Sequence, residues 1–362
     1  MKSKQVQEFK ETEIGKIPVD WEVTELENIC ERVSVGHVGL TSKFFCGKEE
    51  GVLFLRSQNV RPGRINLTDL KYVTYNFHET HKKSQLHEGD LMIVRVGSNR
   101  GDCCVVPKGF DKLNCANIVF ARPKSEFSSF LGHYFRSHLG KQKLDSISTG
   151  SAQGVINTKH IAKLLIPLPL PHQALAISHL LDTLDFKIQN LQNQNKTLEQ
   201  IAQAIFKSWF VDFDGVTEFE DSELGKIPKG WSTNILDYIA NNIRNTIKSK
   251  DITSEIFYIG LEHMPRDKVG LDTWENSHDL KSNKFKFETN HILFGKLRPY
   301  FKKVGISPID GICSTDILVL DSKETQWLEF LLFTVSSYDF IEYASQSTTG
   351  TKMPRTDWDY MK

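Results

Sequence analysis

One sequence segment occurs twice in this chain and limits what the chain can fold into. Residues 13–29 read EIGKIPVDWEVTELENI, and residues 223–239 read ELGKIPKGWSTNILDYI. Glu, Gly, Lys, Ile, Pro, Trp, Leu and Ile recur in step, and a fixed offset of this kind marks two copies of one structural unit. A chain of 362 residues is long enough for about two domains and a connector. We therefore expect two similar domains.

The similarity continues along both copies and indicates a mixed fold of strands and helices. Short apolar runs are followed by loops that contain glycine or basic residues, which is typical of strands. Helical patterns come after the last of these runs. The matched segments are 52–60 with 257–264, 86–101 with 287–299, 114–123 with 312–321, and 148–161 with 347–361. The fold class predicted from this order is α+β.

The segment from Pro171 to Asp214 lies between the two copies and has the pattern of a long helix. Two interleaved series recur every seven residues and occupy the d and a positions of a heptad repeat. The d series is Ile177, Leu184, Leu191, Leu198 and Ile205, and the a series is Leu181, Ile188, Asn195, Ala202 and Trp209. Such a helix spans on the order of 55–60 Å, so we interpret it as a spacer that sets a distance.

The narrow apolar stripe of this helix has to be covered. A helix lying on its own domain is the simpler alternative, but the run is about twice the usual upper length of a globular helix. A long uncovered stripe drives association, so we expect the chain to self-associate or to borrow a helix from a partner. Trp209 and Phe210 widen the apolar face at the end of the helix, where they form either core or a docking surface.

The charge balance argues against an arm that binds nucleic acid through bulk charge, but it allows local basic patches. Lys plus Arg and Asp plus Glu number 45 each. No apolar run approaches the length of a membrane span, and the N-terminal residues contain no signal-peptide core. The six cysteines show no CxxC spacing, which is typical of reduced thiols. We therefore expect a cytoplasmic protein without a membrane partner.

Three motifs, in this order, resemble those of the specificity subunit of type I restriction–modification systems. They are IGKIP-x-x-W, then G-S-A-Q-G followed by I-P-L-P-x-P-x-Q, and the helix end F-K-S-W-F-V-D-F-D. The resemblance implies two target-recognition domains, held apart by an antiparallel coiled coil, that each read one half of a bipartite sequence in double-stranded DNA. The domains expected on this basis are 1–169 and 215–362 for target recognition, with the central long helix at 170–214.

The resemblance also implies that the chemistry belongs to partner subunits. The specificity subunit is not catalytic and binds no cofactor or metal itself. Methyltransferase (M) subunits with bound S-adenosylmethionine dock on its conserved helices, and restriction/translocase (R) subunits that use ATP and Mg join that core. The sequence departs from the family pattern because the second copy stops at Lys362, before a distal conserved helix. We expect this helix to be lost by truncation or supplied by another chain.

The sequence contains no established catalytic motif, and one loose pattern suggests an alternative. No Pro-Pro dipeptide occurs, which excludes the Asn/Asp-Pro-Pro-aromatic motif of amino-methyltransferases. Asp310, Asp321 and Lys323 fit the D…DxK pattern of metal-dependent endonucleases, in which carboxylates hold Mg²⁺ and a lysine activates water. The first copy has Arg122 and no carboxylate at that place, which favours a structural role. A coiled-coil adaptor that does not read DNA is the other alternative.

Candidate DNA-contacting residues are the polar and basic side chains on the loops after the predicted strands. Arg can bind guanine and Asn or Gln can bind adenine bidentately, while Ser and Thr suit phosphates or bases. In the first copy they are Arg56, Ser57, Gln58, Asn59, Arg61, Arg64, Arg95, Ser98, Asn99, Arg100, Thr149, Ser151, Gln153 and Asn157. In the second copy they are His263, Arg266, Lys296, Arg298, Tyr300, Lys302, Lys303, Thr349, Lys352 and Arg355. A solvated loop residue is the ordinary alternative for each of them, but basic loop tips at matched places favour DNA binding.

One matched pair differs in chemistry between the two copies. Gln58 in the first copy corresponds to Glu262 in the second. The difference in charge fits two domains that read different half-sites, and Glu262 could equally lie at the edge of a core.

Overall fold

The chain forms two compact units that share one long helix. The computed structural model describes residues 8–147, 155–278, 280–347 and 353–362. The units are Met1–Gln189 and Asn190–Lys362. The sequence predicted the helix 170–214 as a separate segment, whereas this division falls inside it. The difference arises because each end of the helix packs on the unit to which it belongs.

The first unit contains helices and two main β-sheets. Its strands are β1 (Phe9–Thr12), β2 (Gly15–Pro18), β3 (Glu22–Glu25), β4 (Cys30–Val35), β5 (Phe45–Cys46), β6 (Gly51–Arg56), β7 (Val60–Arg61), β8 (Arg64–Ile65), β9 (Lys71–Thr74), β10 (Gln85–Leu86), β11 (Leu91–Val94), β12 (Cys103–Val105), β13 (Leu113–Ala116), β14 (Ile118–Pro123) and β15 (Leu165–Leu168). Its helices are α1 (Tyr75–Thr80), α2 (Ser125–Arg136), α3 (His138–Ser146), α4 (Thr158–Ala162) and α5 (Pro171–Phe210), of which α5 continues into the second unit.

The two main sheets of the first unit differ in strand direction. The four-stranded sheet has the order β12-β11-β14-β4 with antiparallel neighbours. The five-stranded sheet has the order β10-β13-β6-β9-β5, and in it β13 and β6 run parallel. The matched apolar segments of the sequence form the central strands of both sheets, where most of their apolar side chains are buried.

Alternating side chains of β11 divide between two hydrophobic cores. Leu91 and Ile93 pack with apolar residues of α2 and α3, whereas Met92 and Val94 pack with residues of β6 and β13. This is the period-two alternation of a strand in a sheet that is covered on both faces. The first unit is therefore built of three layers, with the four-stranded sheet between the helices and the five-stranded sheet.

The second unit repeats this architecture. Its strands are β16 (Phe219–Ser222), β17 (Gly225–Pro228), β18 (Ala240–Ile243), β19 (Thr246–Ile247), β20 (Phe257–Ile259), β21 (Glu275–Asn276), β22 (Lys284–Phe287), β23 (Ile292–Gly295), β24 (Val304–Ile306), β25 (Gly311–Cys313) and β26 (Ile317–Ser322). Its helices are α6 (Leu328–Ser336), α7 (Tyr338–Gln346) and α8 (Trp358–Met361).

Strand order shows that the two units are copies of one fold. The sheet β24-β23-β26-β18 matches β12-β11-β14-β4 strand for strand. The series β22-β25-β20-β21 matches β10-β13-β6-β9, and β25 and β20 are again parallel. The units differ at one sheet edge, since β19 pairs with β22 whereas β5 pairs with β9. The predicted α+β class with two similar units is confirmed.

The repeated GKIP motif forms the return strand of a β-hairpin in both units. β2 pairs with β1, and β17 pairs with β16 in the same register. Gly15 and Gly225 have φ angles of 104° and 99°, in the left-handed region that favours glycine. Thr12 and Ser222 donate hydroxyl hydrogen bonds to the carbonyls of these glycines at 2.6 and 2.7 Å. The glycine of the motif therefore recurs because the hairpin turn requires it.

The predicted long helix is confirmed as α5, which has 40 residues. It begins at Pro171, where proline is tolerated because the first turn of a helix leaves its N–H groups unpaired. Residues 186–198 are exposed on every side of the helix. The d-position side chains of Leu184, Leu191 and Leu198 are 54%, 44% and 61% exposed. The middle of the heptad stripe is therefore uncovered in the single chain.

The beginning of α5 is covered by the first unit, which corrects part of the predicted partner stripe. Ile177 packs against the helical core of that unit, and Leu181 is half-buried. Asp182 accepts hydrogen bonds from Ser129 Oγ at 2.7 Å and His133 Nε2 at 2.8 Å. The first heptad positions face α2 in this way, so they attach the helix to its own unit.

The end of α5 is covered by the second unit in the same manner. Glu199 accepts hydrogen bonds from two consecutive backbone N–H groups at 3.1 and 2.8 Å. The rings of Phe206 and Phe210 lie 5.6 and 5.0 Å from the ring of Phe330 in α6. Phe210 was predicted as a partner residue and belongs to this aromatic cluster instead, while Trp209 remains 62% exposed.

Candidate nucleic-acid interface

Three loop segments that carry predicted contact residues come together in the first unit. The N–H of Ile156 donates to the carbonyl of Arg95 at 3.0 Å. With its amide oxygen turned toward Arg61, Asn99 accepts two hydrogen bonds from that guanidinium at 3.2 Å. The three segments are the turn 57–61 after β6, the loop 95–101 after β11, and the stretch 155–157 before α4.

The equivalent segments also come together in the second unit. Lys303 donates from Nζ to the carbonyl of Leu261. The N–H of Arg298 donates to the carbonyl of Pro354 at 2.8 Å. The three segments here are 260–267 after β20, 296–303 after β23, and 353–356 before α8. Both units therefore bring the predicted loop residues to one place.

The turn after the parallel strand is closed in the same way in both units. In the first unit, Asn59 Oδ1 accepts a hydrogen bond from the N–H of Arg56 at 3.1 Å. In the second unit, His263 Nδ1 accepts a hydrogen bond from the N–H of Gly260 at 2.9 Å. Each cap spans three residues, so two different side chains give the backbone one conformation.

These caps correct two predicted DNA contacts. Asn59 is 0% exposed, and its Nδ2 donates to two loop carbonyls at 3.1 Å each. His263 is half-buried, with its Nε2 3.8 Å from a carboxylate oxygen of Glu275. Both side chains hold the turn through these hydrogen bonds. The signal available in the sequence was their alignment at one position, where a polar acceptor recurs.

Asp69 organises two of the predicted contact residues in the first unit. Its Oδ2 accepts hydrogen bonds from Arg56 Nη2 at 2.9 Å and from Gln58 Nε2 at 2.8 Å. Lys71 Nζ lies 2.9 Å from Oδ1. Hydrogen bonds from Lys71, Arg56 and Gln58 hold the pKa of this carboxyl well below its usual range. Sequence reasoning missed Asp69, which lies in the loop between β8 and β9.

Two other candidates of the first unit bond to the loop backbone, and the rest differ in exposure. Arg61 donates from Nη1 to the carbonyl of Val60 at 2.7 Å, and Ser57 Oγ donates to the carbonyl of Asn117 at 3.3 Å. These two side chains therefore support the turn as well as facing the loops. The structure leaves three of the rest half-buried, namely Arg95, Asn99 and Arg100. It leaves Arg64 and Ser98 exposed.

Two cations of the second unit are compensated by acidic residues. Lys302 Nζ lies 3.2 Å from a carboxylate oxygen of Asp267. Arg355 donates from Nε to Asp316 at 2.9 Å, and this hydrogen bond raises the pKa of the guanidinium further. The carboxylates of Asp267 and Asp316 therefore offset the positive charges of Lys302 and Arg355 at the loop cluster.

Arg266 is held differently, by stacking on an aromatic ring. Its guanidinium carbon lies 3.9 Å from the ring centroid of Phe301, a cation–π contact that leaves the donors at the rim of the group accessible. Burial lowers the pKa of nearby Lys303, and Tyr300 is 52% exposed. Lys296 is half-buried and Arg298 is exposed.

The remaining candidates lie near the last short helix of each unit. Asn157 is the N-cap of α4, where its Oδ1 accepts a hydrogen bond from the N–H of Lys159 at 3.0 Å. This capping bond accounts for an asparagine at that position. Outside the described residues lie Thr149, Ser151, Gln153, Thr349 and Lys352.

The three residues of the alternative nuclease pattern are used separately in the structure. Asp310 accepts hydrogen bonds from the N–H and Oγ1 of Thr289 at 2.7 and 2.9 Å. Asp321 lies 3.8 Å from Nε2 of His291, and Lys323 donates to a backbone carbonyl. Each side chain has a local structural partner, which favours the structural role over Mg²⁺ binding.

Within the described ranges, one group of side chains offers three possible metal ligands at close distance. The ligand atoms of Glu262, His263 and Glu275 lie within 4.8 Å of one another. Because His263 Nδ1 accepts a backbone hydrogen bond, the proton of the neutral ring is on Nε2. The nitrogen that faces the carboxylates therefore carries a proton and has no lone pair to offer, so the group does not supply three ligands to a metal.

Two features bear on the environment predicted for the chain. The six cysteines are free thiols, and burial raises the pKa of Cys103, Cys104 and Cys313 to about 12. Among the residues that the structure describes, no helix has the length and apolar character needed to cross a membrane.

Comparisons with known proteins identify the family. The model of the type I restriction modification DNA specificity domain matches residues 18–200, just over half of the chain. The specificity subunit of the type I restriction enzyme MjaIX from Methanocaldococcus jannaschii is 24% identical, over 96% of this chain and 82% of that protein. The EcoDI specificity subunit from Escherichia coli is 25% identical, over 94% of this chain and 76% of that protein.

A solved structure supports the fold. The crystal structure of the type I restriction–modification S subunit from M. genitalium superimposes with a TM-score of 0.51, at 13% identity, over 94% of this chain and 86% of that one. At this level of identity the likeness concerns the fold alone. The chain belongs to the family of type I restriction–modification DNA specificity proteins.

Proposed function

We propose that this chain is the DNA-reading subunit of a type I restriction–modification enzyme, in which each unit reads one half of a bipartite sequence. One observation carries the proposal: the same three loop segments meet in both units but present different side chains. Base edges in the major groove are distinguished by hydrogen-bonding side chains at fixed positions. Two copies of one scaffold with different loop residues are suited to two different half-sites.

Affinity for DNA would come from local cations, since the chain has no net charge. Half to two thirds of protein–DNA hydrogen bonds go to phosphates and sugars, and these contacts position the protein. Cations at the two loop clusters include Arg64, Arg95, Arg266 and Lys296. Those without an acidic neighbour are the best candidates for phosphate contacts.

Family membership supports the further proposal that partner subunits perform the chemistry. Methyltransferase subunits would supply S-adenosylmethionine, and restriction/translocase subunits would supply ATP and Mg, in the cytoplasm. The chain itself would contribute recognition and binds no cofactor in this scheme. Its buried thiols and separately paired carboxylates fit a structural and recognition role.

The uncovered middle of α5 supports self-association as part of the proposal. Along residues 186–198 the helix is exposed on all sides, yet it keeps a regular apolar seam at its a and d positions. Burial of apolar area is the main favourable term in association. A second copy of the chain offers the same seam and would cover it as a coiled coil.

The proposal is tested by mapping methylation. The chain is co-expressed with the methyltransferase subunit encoded beside it, in a host without other methylation systems, and modified bases are located by long-read sequencing. Methylation at a single bipartite motif is the expected result, and a half-palindromic motif would point to two copies of this chain in the enzyme. A stable complex that methylates at no defined motif would contradict the proposal.

Arg266→Ala is expected to weaken DNA binding of the purified complex about tenfold for all sequences alike. Because the guanidinium is held by Phe301 and not by a carboxylate, its full charge is available to a phosphate. Losing one phosphate contact lowers the slope of log affinity against log salt by about 0.9. Fluorescence anisotropy across a salt series measures both quantities.

Lys229→Ala is the matched control for this variant. Lys229 is an exposed cation on the β16–β17 hairpin and is paired with Glu218 at 2.7 Å. We expect its loss to leave the salt slope unchanged. An unchanged slope for Arg266→Ala as well would exclude Arg266 from phosphate binding.

A further inference from the structure

We infer that Gln58 and Glu262 are equivalent base-reading residues, and that Gln58 selects adenine in one half-site while Glu262 selects cytosine in the other. The inference rests on the proposed function and names the residues and bases that would distinguish the two units. It is carried by the equivalence of the two turns and by the hydrogen-bonding groups that each side chain leaves unused.

The two residues occupy the same place in the fold. In the parallel strand pairs, Cys115 lies opposite Leu55 and Cys313 lies opposite Ile259. Gln58 lies three residues after Leu55, and Glu262 lies three residues after Ile259. The caps formed by the next residue in each unit then fix the same backbone conformation. Both central side chains are exposed, so the turns present them at equivalent positions.

Asp69 orients the amide of Gln58. One N–H of Nε2 donates to Asp69 Oδ2 at 2.8 Å, which leaves the second N–H and the Oε1 acceptor at the outer edge. Adenine offers an acceptor at N7 and a donor at N6 in the major groove, which complements this edge. Asp69 is itself fixed by Arg56 and Lys71, each at 2.9 Å. Asp69 is therefore a positioning residue for the reader.

The carboxylate of Glu262 lies against the backbone of Gly260 and within 4.8 Å of possible ligand atoms of His263 and Glu275, and its acceptors are unused among the described residues. None of the described residues donates a hydrogen bond to it or forms an ion pair with it within 4 Å. Lys303 and Lys284 lie near enough to interact with its charge, and these cations offset the repulsion that a carboxylate meets beside phosphates. Cytosine N4 is the donor that Glu accepts from in the major groove.

Phosphate binding does not explain an acidic residue at this place. A carboxylate among the cations of a DNA-binding surface lowers nonspecific affinity, because it adds repulsion to every phosphate. At the tip of a capped turn its benefit lies in rejecting bases that offer no donor. Glu262 and Gln58 thereby give two nearly identical turns different specificities.

The test exchanges the two side chains in the co-expressed complex. Gln58→Glu removes the N–H that Asp69 accepts and places a second carboxylate beside it, so it is expected to abolish selection of adenine at one position of the methylated motif in one half-site. Glu262→Gln is expected to change one position from cytosine to adenine in the other half-site. A good bidentate pair discriminates bases by about 10- to 100-fold, which is large enough to appear in genome-wide methylation frequencies.

Asp69→Asn tests the positioning role. Asparagine tolerates the positive φ of 48° at this residue, but it has one acceptor oxygen where Asp69 has two, so it cannot hold Arg56 and Gln58 on one oxygen and Lys71 on the other. We expect greater degeneracy at the motif position read by Gln58 and no change at the other half-site. A residue that only stabilised the fold would lower methylation at all positions equally.

Matched controls place the same chemical changes on helices. Gln142→Glu on α3 and Glu329→Gln on α6 both alter exposed side chains, and we expect the motif to remain that of the parent chain. If Gln58→Glu and Glu262→Gln also keep the parent motif, or if either alters both half-sites, the base assignment is wrong while the proposed function stands. If the parent chain directs methylation to no motif, the proposed function itself fails.

Discussion

Replacing Asp90 with alanine is expected to lower the free energy of unfolding of the first unit by about 3–5 kcal/mol. Asp90 is 0% exposed. Its two oxygens accept hydrogen bonds from Nε and Nη2 of Arg122, each at 2.8 Å, and the N–H of His87 donates to it at 2.8 Å. The variant leaves the Arg122 guanidinium without a partner in a poorly solvated place, and an uncompensated charge there is costly.

Hydrogen-exchange mass spectrometry on peptides that cover β11 and β14 measures this loss in the full chain, since both strands belong to the first unit. The corresponding pair in the second unit provides the control. His291 lies at the position of Asp90, and its partner Asp321 lies at the position of Arg122. Nε2 of His291 is 3.8 Å from a carboxylate oxygen of Asp321, and 42% of the Asp321 side chain is exposed. A pair this open contributes about 0–1 kcal/mol, so His291→Ala, which also removes the acceptor of the Glu288 N–H, should raise exchange less than Asp90→Ala does. Equal effects of the two variants would contradict the argument.

The repeated architecture could be predicted from the sequence because it depends on local patterns. The apolar run of β11 alternates between two cores, and its counterpart β23 does the same through Ile292 and Leu293. The hairpin glycines Gly15 and Gly225 are fixed by a turn conformation. Such features survive in both copies because each is set by neighbours in the chain.

The polar organisation of the candidate interface could not be predicted in the same way. Asn59 and His263 perform one capping function with different side chains, so neither resembles a cap until the turn is seen. Asp69 reaches Gln58 from a separate loop, and no periodicity links them. The ion pair of Asp90 and Arg122 is replaced in the second unit by a contact in which the acidic residue, Asp321, lies on the other strand, which hides its equivalence in the sequence.

The helix shows the same division between what is local and what depends on packing. Its heptad repeat predicted α5 and its start at Pro171. The repeat did not show that Ile177 is used by the first unit or that Phe210 is used by an aromatic cluster of the second. The apolar residues that pack on either unit are of the same kind as those that form a coiled coil. Periodicity alone therefore cannot distinguish packing on a unit from pairing with a second helix.

The double variant Leu191→Glu with Leu198→Glu is expected to weaken self-association of the chain at least 100-fold. Both residues occupy d positions in the part of α5 that neither unit covers, and they are 44% and 61% exposed. In a coiled coil between two copies these side chains would be buried in the seam. Each copy would then bury two carboxylates, and burial of unpaired charge is strongly unfavourable. A 100-fold change corresponds to about 2.7 kcal/mol, a small share of that penalty.

Sedimentation equilibrium of the purified chain, at concentrations from nanomolar to tens of micromolar, measures the change. Phe186→Glu is the matched control, because Phe186 is 74% exposed on the same helix but lies at the f position, away from the seam. It introduces the same charge, and we expect the dimer to persist. A parent chain that stays monomeric over the whole range would show that the seam is not covered by a second copy. Equal weakening by Phe186→Glu would mean that the copies associate through a different face of α5.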